Sequence, residues 1–226
     1  MSEMKRQPLR KLKKYINTNV VIGLCILIPM TAITLLAPVI SSTDPTEVFT
    51  GVYNQPPGGA HLMGTDSLGM DVFTRLLYAP RIDLLIGLIS TFLGFIIGVP
   101  LGLFVGFFEA KKGIKAAIST VIIRVLDVIQ AFPVFILGLA VVAATGQNVI
   151  NVIYVLGFIW IPVFTRLVRT EVLRVRDNLF VVQERVIGQK NSVIIFKHIL
   201  PNSISPAITQ VSTCIGSSVL LTAGLS

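Results

Sequence analysis

The hydrophobic pattern of this chain is dominated by long runs that contain no charged residue. These runs extend from Asn19 to Ile40, from Leu84 to Phe108, from Val128 to Thr165, and from after His198 to Ser226. A bilayer core about 30 Å thick is crossed by about 20 apolar helical residues. The third run is too long for one helix, and the turn-forming residues Gly146–Asn148 divide it. The pattern therefore predicts five transmembrane helices.

Composition supports the same class of fold. Hydrophobic residues make up 53% of the 226 residues and charged residues 13%, whereas soluble domains carry roughly 25% charged residues. The two cysteines, Cys25 and Cys214, lie inside apolar runs and are interpreted as small buried hydrophobes. The first run is too long for a cleaved signal peptide and lacks the usual cleavage site, so it is interpreted as an uncleaved anchor. We expect an all-α membrane protein.

Basic residues predict the orientation, because cytoplasmic loops are enriched in Lys and Arg. Alternation of the predicted helices places sixteen of the nineteen basic residues on one side, two on the other and Arg124 within a helix. The basic N-terminal tail, Lys111 to Lys115 and the segment 166–197 thus lie in the cytoplasm, and 41–82 lies outside. Because the +8 net charge is distributed between apolar runs, nucleic acid is not expected as a partner.

Two charges and a proline mark the third span. Arg124 and Asp127 are three residues apart, so they share a helix face and can pair. The pair is interpreted either as a structural ion pair near the cytoplasmic interface or as part of a gate or pathway. Pro133 removes a backbone hydrogen bond, so a kink is predicted at this position. The kink is interpreted either as part of a pore-lining helix or as a feature of helix packing without a functional role.

The second span carries glycines at a spacing of four residues, which predicts close packing against another helix. They are Gly94, Gly98, Gly102 and Gly106.

The two loops that flank the spans also carry patterns. Outside, Pro56–Gly59 predicts a turn, and Met63–Asp71 contains two aspartates without the spacing of a calcium loop, which favours an ordered cap or a docking surface over a metal site. Inside, the segment from Arg169 to Lys197 predicts a helix, a turn at Gly188 and a second short helix. Its apolar residues indicate a surface that binds a partner.

Four stretches, in order along the chain, resemble the permease subunits of ABC importers of the dipeptide, oligopeptide and nickel group. They comprise Gly64–Asp71 with Arg75–Tyr78; Arg124, Asp127 and Phe132-Pro133; Trp160 with Arg166–Arg169 and Glu171–Leu173; and Gly188 with His198–Asn202. The resemblance extends from about Pro38 to the last residue.

The resemblance implies a type I importer fold with six transmembrane helices and a division of the chain into four parts. These are a cytoplasmic tail (1–18), an N-terminal transmembrane helix (19–41), an extracytoplasmic segment (42–82) and a permease domain (83–226) with a cytoplasmic coupling loop at about 170–201. It also implies a second permease subunit, two cytoplasmic ATP-binding subunits, an extracytoplasmic solute-binding protein and a lipid environment in a bacterial or archaeal cytoplasmic membrane. A coupling helix near Asn178–Gln189 would contact the ATPase through Val182, Gln183, Glu184, Arg185 and Gly188.

The sequence departs from the family pattern at three places. Val182-Gln183-Glu184 replaces the usual Glu-Ala-Ala triplet, and Met70 replaces an arginine. The chain ends at Gly224-Leu225-Ser226, where the family continues to a sixth span. We therefore expect one helix fewer than the family has.

Three functions are compatible with the sequence. The first is a permease for peptides, or for nickel or another small solute; ATP and Mg would be used by partner subunits, since the phosphate-loop motif G-x-x-x-x-G-K-[ST] is absent from the sequence. The second is a truncated assembly partner that does not transport. The third is a membrane enzyme, which is disfavoured because the two histidines, His61 and His198, are predicted on opposite sides of the membrane.

Overall fold

The computed structural model describes residues 18–109, 113–146 and 148–225, with the side chain of Leu225 left out. The basic tail, Lys111, Lys112, Gln147 and Ser226 lie outside the described residues. The helices are α1 (Thr18–Ile40), α2 (Val72–Phe108), α3 (Ile114–Ala131), α4 (Val134–Thr145), α5 (Val149–Val175), α6 (Leu179–Val186), α7 (Asn191–Val193), a π-helical stretch (Ile194–Ile199), α8 (Leu200–Ser203) and α9 (Ser205–Leu225).

The described residues contain four single helices that are long and apolar enough to cross a bilayer, namely α1, α2, α5 and α9. Helices α3 and α4 meet at an angle of 86° and make a fifth span if they are counted as one bent element. The all-α membrane fold predicted from the hydrophobic pattern is confirmed, and so is the break at Gly146–Asn148, which separates α4 from α5.

The chain divides into two compact units, residues 1–82 and 83–226. In the first unit, α1 buries only Thr34 and Ala37. A helix that is apolar and exposed on all sides is suited to lipid or to a partner helix. The loop that follows α1 is held by Gly64 and Gly69, which have positive φ angles of 76° and 83°. Added Cβ atoms there would lie 2.2 Å from the Gln55 carbonyl oxygen and 2.7 Å from that of Phe49.

The core of the second unit is built around α5. Its buried face includes Leu156, Phe164, Val168 and Val172, none of which is exposed to solvent. The spaced glycines of α2 contact this face, and a Cβ added at Gly98 would lie 2.7 Å from the Phe164 Cβ. The predicted close packing of the glycine helix is thus confirmed, and its partner is α5.

Two element boundaries differ from the prediction. Helix α2 begins at Val72, twelve residues before the predicted start at Leu84, because Asp71 accepts hydrogen bonds from the Thr74 backbone N–H and hydroxyl, both 2.7 Å long, at the first turn. Such an N-terminal cap stabilises a helix whatever the polarity of the residues that follow. Helix α3 begins at Ile114, ten residues before Arg124 and fourteen before the uncharged run that starts at Val128.

Candidate functional site

The predicted coupling segment forms helix α6, and its location agrees with the prediction. Asn178 begins the helix, its carbonyl oxygen accepting from the Val181 and Val182 N–H groups at 2.9 and 3.1 Å. Gly188 ends it with φ of 79°. The Gly188 N–H donates to the Arg185 carbonyl oxygen, so a left-handed glycine closes the last turn.

Three contacts join α6 to the rest of the second unit. Val181 is fully buried in the core, the Arg185 guanidinium lies 5.3 Å from the centre of the Phe107 ring, and Glu184 lies 3.6 Å from His198 Nε2. Because His198 belongs to the π-helical stretch that precedes α9, α6 is connected to both α2 and α9.

The opposite face of α6 is apolar and exposed. Leu179 and Val186 are each 81% exposed and Ile187 is 70% exposed. These three residues were not among the contacts predicted from the sequence. Apolar side chains shortly before a turn glycine could nevertheless have indicated an exposed apolar surface. Of the five predicted contact residues, Val182, Gln183 and Gly188 are exposed, whereas Glu184 and Arg185 are half-buried against this chain.

The predicted ion pair has a different partner. Asp127 on α3 pairs with Arg166 on α5, the Nη2 to Oδ1 distance being 2.5 Å, and not with Arg124 of its own helix. Arg166 comes from 39 residues further along the chain, and helical spacing gives no information about such a contact.

Pro133 does not kink a continuous helix. It lies between α3 and α4, where Phe132 has the extended ψ of 134° that a following proline favours. The cavity beside this break has a volume of about 380 Å³, and its lining includes Asp127, Gln130, Phe132, Trp160 and Arg166. Asp127 therefore lines this cavity together with Phe132 and Val134, the residues on either side of Pro133, whereas Arg124 is not among the lining residues.

A second ion pair fastens the end of α2 to α5. Arg169 donates from Nε and Nη2 to the two oxygens of Glu109, both at 2.6 Å, and Arg176 donates to the Gly106 carbonyl oxygen at 2.9 Å. The hydrogen bonds from Arg169 hold the pKa of Glu109 below its ordinary value. A bidentate pair of this kind fixes both position and orientation.

The segment 42–71 between α1 and α2, for which a cap or a docking surface was predicted, forms an ordered loop that we call the cap loop. Asp66 accepts the backbone N–H groups of Leu68 and Met70, each at 2.9 Å, and pairs with Arg75. Asp71 lies 3.0 Å from His61 Nδ1 in addition to its bonds with Thr74. Both aspartates thus hold the loop and the first turn of α2 together.

These observations define the class of protein: a multi-span helical membrane protein with a short helix, α6, that packs on the bundle and exposes an apolar face. Residues 98–226 match the family of binding-protein-dependent transport system inner membrane components. Over 220 residues the chain is 34% identical to the dipeptide transport system permease protein DppC of Alkalihalophilus pseudofirmus, an alignment that covers 97% of this chain and 70% of that protein. The chain belongs to this family of transport permeases.

Two other relatives are similarly close. The glutathione transport system permease protein GsiD of Pectobacterium atrosepticum is 38% identical over 173 residues, which cover 76% of this chain and 56% of that protein. The di/tripeptide transport system permease protein DppC of Pseudomonas aeruginosa is 32% identical over 209 residues, which cover 90% and 67%. The aligned residues therefore correspond to between 56% and 70% of the length of these three relatives.

Proposed function

We propose that this chain is a permease subunit of an ATP-driven importer that moves short peptides across the cytoplasmic membrane. Three relatives carry names that refer to dipeptide, di/tripeptide and glutathione transport, which supports peptides over nickel as the cargo. The proposed complex contains a second permease subunit, two ATP-binding subunits that use ATP and Mg, and an extracytoplasmic solute-binding protein.

The observation that carries the proposal is the two-sided packing of α6. One face is joined to the bundle through Val181, Arg185 and Glu184, while Leu179 and Val186 are exposed on the other. An exposed apolar helix face is suited to a protein partner. In our proposal that partner is an ATPase subunit, and Leu179, Val182 and Val186 enter its groove.

The proposed cycle is a two-state shift biased by ATP. ATP binding closes the pair of ATPase subunits and moves α6. Because α6 contacts Phe107 on α2 and His198 before α9, its movement changes the positions of both helices. The permease then opens outward to receive the solute, and release of ADP returns it to the inward-open state.

The test is to place a charge on the proposed contact surface. In cells that produce the complete transporter, we expect Val186→Asp to abolish copurification of the ATPase subunits and ATP-dependent uptake of labelled dipeptide. Ser192→Asp is the matched control, because this exposed residue lies beyond the Gly188 turn, and it should leave both intact.

Retained copurification and uptake in the Val186→Asp variant would show that α6 does not couple the ATPase to the permease. Uptake of nickel without uptake of peptide by the unaltered complex would replace the proposed cargo. ATPase copurification without uptake of either solute would indicate a partner that assembles but does not transport.

A further inference from the structure

The cavity at the break between α3 and α4 combines a largely apolar lining with three polar or charged side chains, those of Asp127, Gln130 and Arg166. Non-helical backbone at membrane depth is tolerated where it is buried in protein or lines a water-filled cavity. Here the break residue Phe132 lines a cavity of about 380 Å³ together with the Asp127–Arg166 pair and the Gln130 amide. Ligand pockets commonly have volumes from about 300 Å³ upward, so this volume suits part of a small solute.

The Asp127–Arg166 pair retains capacity for further hydrogen bonds. It is joined through one nitrogen and one oxygen, and its side chains are 42% and 45% exposed. The Glu109–Arg169 pair on the same helix α5 is bidentate, and its side chains are only 30% and 28% exposed. The Glu109–Arg169 pair is therefore arranged to hold two helices together. The Asp127–Arg166 pair instead presents a carboxylate oxygen and guanidinium N–H groups to the cavity.

These groups match the charges of a peptide with free termini. At neutral pH such a peptide carries an α-ammonium and an α-carboxylate group. Asp127 can accept from the ammonium group, and Arg166 can donate to the carboxylate in a planar fork. The Gln130 side chain has both donors and an acceptor, and one bound peptide would replace a single internal ion pair by two.

We propose that this cavity is a solute subsite of the permease, in which Asp127 and Arg166 recognise the charged termini of a short zwitterionic peptide. The proposal rests on the proposed function as a peptide permease. It adds that the permease itself recognises the α-ammonium and α-carboxylate groups of the peptide. The proposed subsite selects peptides that have free termini and does not discriminate between their side chains.

Trp160 makes the subsite directly observable, because it lines the cavity and is the single tryptophan of the chain. The chain in lipid nanodiscs is titrated with dialanine and with the same dipeptide carrying an N-acetyl group and a C-terminal amide. We expect a saturable change of Trp160 fluorescence with dialanine and at least tenfold weaker binding of the capped dipeptide. This comparison needs no substitution, so it does not depend on how a variant folds.

Two variants assign the charges. We expect Asp127→Asn and Arg166→Gln each to weaken dialanine binding at least tenfold and to leave the capped dipeptide unchanged. The matched control is Glu171→Gln, which breaks the Glu171–Arg174 pair on the same helix away from the cavity and should bind dialanine normally. Equal affinity for free and capped dipeptide, or no fluorescence change with dialanine, would overturn the subsite.

Uptake by the assembled transporter separates this proposal from the function on which it rests. ATP-dependent dipeptide uptake combined with unchanged Trp160 fluorescence would remove the subsite and leave the importer function standing. Saturable binding that depends on both termini, in a complex that imports no peptide, would support the subsite and remove the importer function.

Discussion

At the scale of single residues, close packing of α2 on α5 depends on the absence of side chains at four positions. Cβ atoms added at Gly94, Gly98, Gly102 and Gly106 would each meet an atom of α5 at 2.5 to 2.7 Å. The atoms they would meet are backbone oxygens or Cβ atoms, which cannot move without the helix. Small residues at these positions are thus a condition of the observed helix separation.

A methyl group at Gly102 tests this packing. Gly102→Ala would place its Cβ 2.6 Å from the Thr165 carbonyl oxygen and 2.7 Å from the Val168 Cβ. Overpacking of this kind costs about 1–3 kcal/mol, so we expect a lower Tm for the purified permease in circular dichroism melting.

Gly216→Ala on α9 is the control, because nothing lies within 4 Å of its added Cβ. Alanine favours the helix by up to about 1 kcal/mol over glycine, so its Tm should be unchanged or higher. Equal Tm values for the two variants would contradict the close approach of α2 and α5.

Asp71 gives the cap loop a pH-dependent stability. Partial burial raises the pKa of Asp71, but the hydrogen bonds from Thr74 and His61 outweigh it and leave the pKa below its ordinary value. A carboxylate whose pKa is lowered on folding stabilises the folded state above its ordinary pKa of about 3.9, and this contribution is lost as the pH falls through the lower folded value. The cap should therefore loosen in acid.

Pepsin cleavage between residues 42 and 71, mapped by mass spectrometry, measures this loosening. The unaltered protein should resist at pH 4.5 and be cleaved at pH 2.5. Asp71→Ala removes a helix cap worth about 1 kcal/mol and should be cleaved faster at pH 4.5. Asp44→Ala, which affects an aspartate bonded to Thr46 within its own turn, should behave as the unaltered protein; equal cleavage of both variants would disprove the role of Asp71.

At the cavity between α3 and α4, the sequence predicts some of the residues involved more readily than it predicts their contacts. Asp127 and Pro133 stand out because a charge and a proline are costly within a span, whereas the sequence places Arg166 in the cytoplasmic segment after the predicted span. The sequence predicts Arg124 as the partner of Asp127, because spacing along one helix is the only contact geometry that a sequence provides. A contact between different helices depends on how both rotate about their axes, which the sequence of either helix does not specify.

At the scale of elements, the break at Pro133 sets the angle of 86° between α3 and α4. Pro133→Ala restores an N–H group and releases Phe132 from its extended conformation. We expect α3 and α4 to become more nearly collinear. Spin labels at Thr120 and Thr145 should then move apart, from roughly 25 Å to roughly 35 Å at 1.5 Å rise per residue, as measured by double electron–electron resonance.

The control is Pro29→Ala, which affects a proline inside the continuous helix α1 and should leave the label distance unchanged. If Pro133→Ala also leaves the distance unchanged, tertiary packing and not the proline maintains the 86° bend.

Element boundaries followed the apolar runs only in part. The limits of α1 were predicted to within one residue, because its apolar run and its helix coincide. For α2 the end at Phe108 agrees with the prediction but the start does not, because the helix includes Arg75, Arg81 and Asp83 before the apolar run begins. Apolar runs predict the part of a helix that is suited to lipid, whereas capping groups such as Asp71 decide where the helix starts.

At the scale of the whole molecule, the distribution of basic residues predicts the orientation of the protein in the membrane. In intact cells, with Cys25 and Cys214 replaced by serine, an impermeant maleimide should label a cysteine placed at Ala60 but not one placed at Lys190. The expectation follows from the excess of basic residues predicted on the cytoplasmic side. Labelling of Lys190→Cys, with Ala60→Cys unlabelled, would reverse the topology and would place α6 on the side away from ATP.

The break between α3 and α4 also has a consequence for synthesis at the ribosome. Helix α4 has 12 residues, a rise of about 18 Å against a hydrocarbon thickness of about 30 Å, and α3 carries three charges that oppose insertion, on Lys115, Arg124 and Asp127. Asp127 leaves the ribosome 39 residues before Arg166, which is about 2–8 s at ordinary elongation rates. We therefore expect the bent pair to enter the membrane together with α5, whose Arg166 pairs with Asp127, and not before that helix has been synthesised.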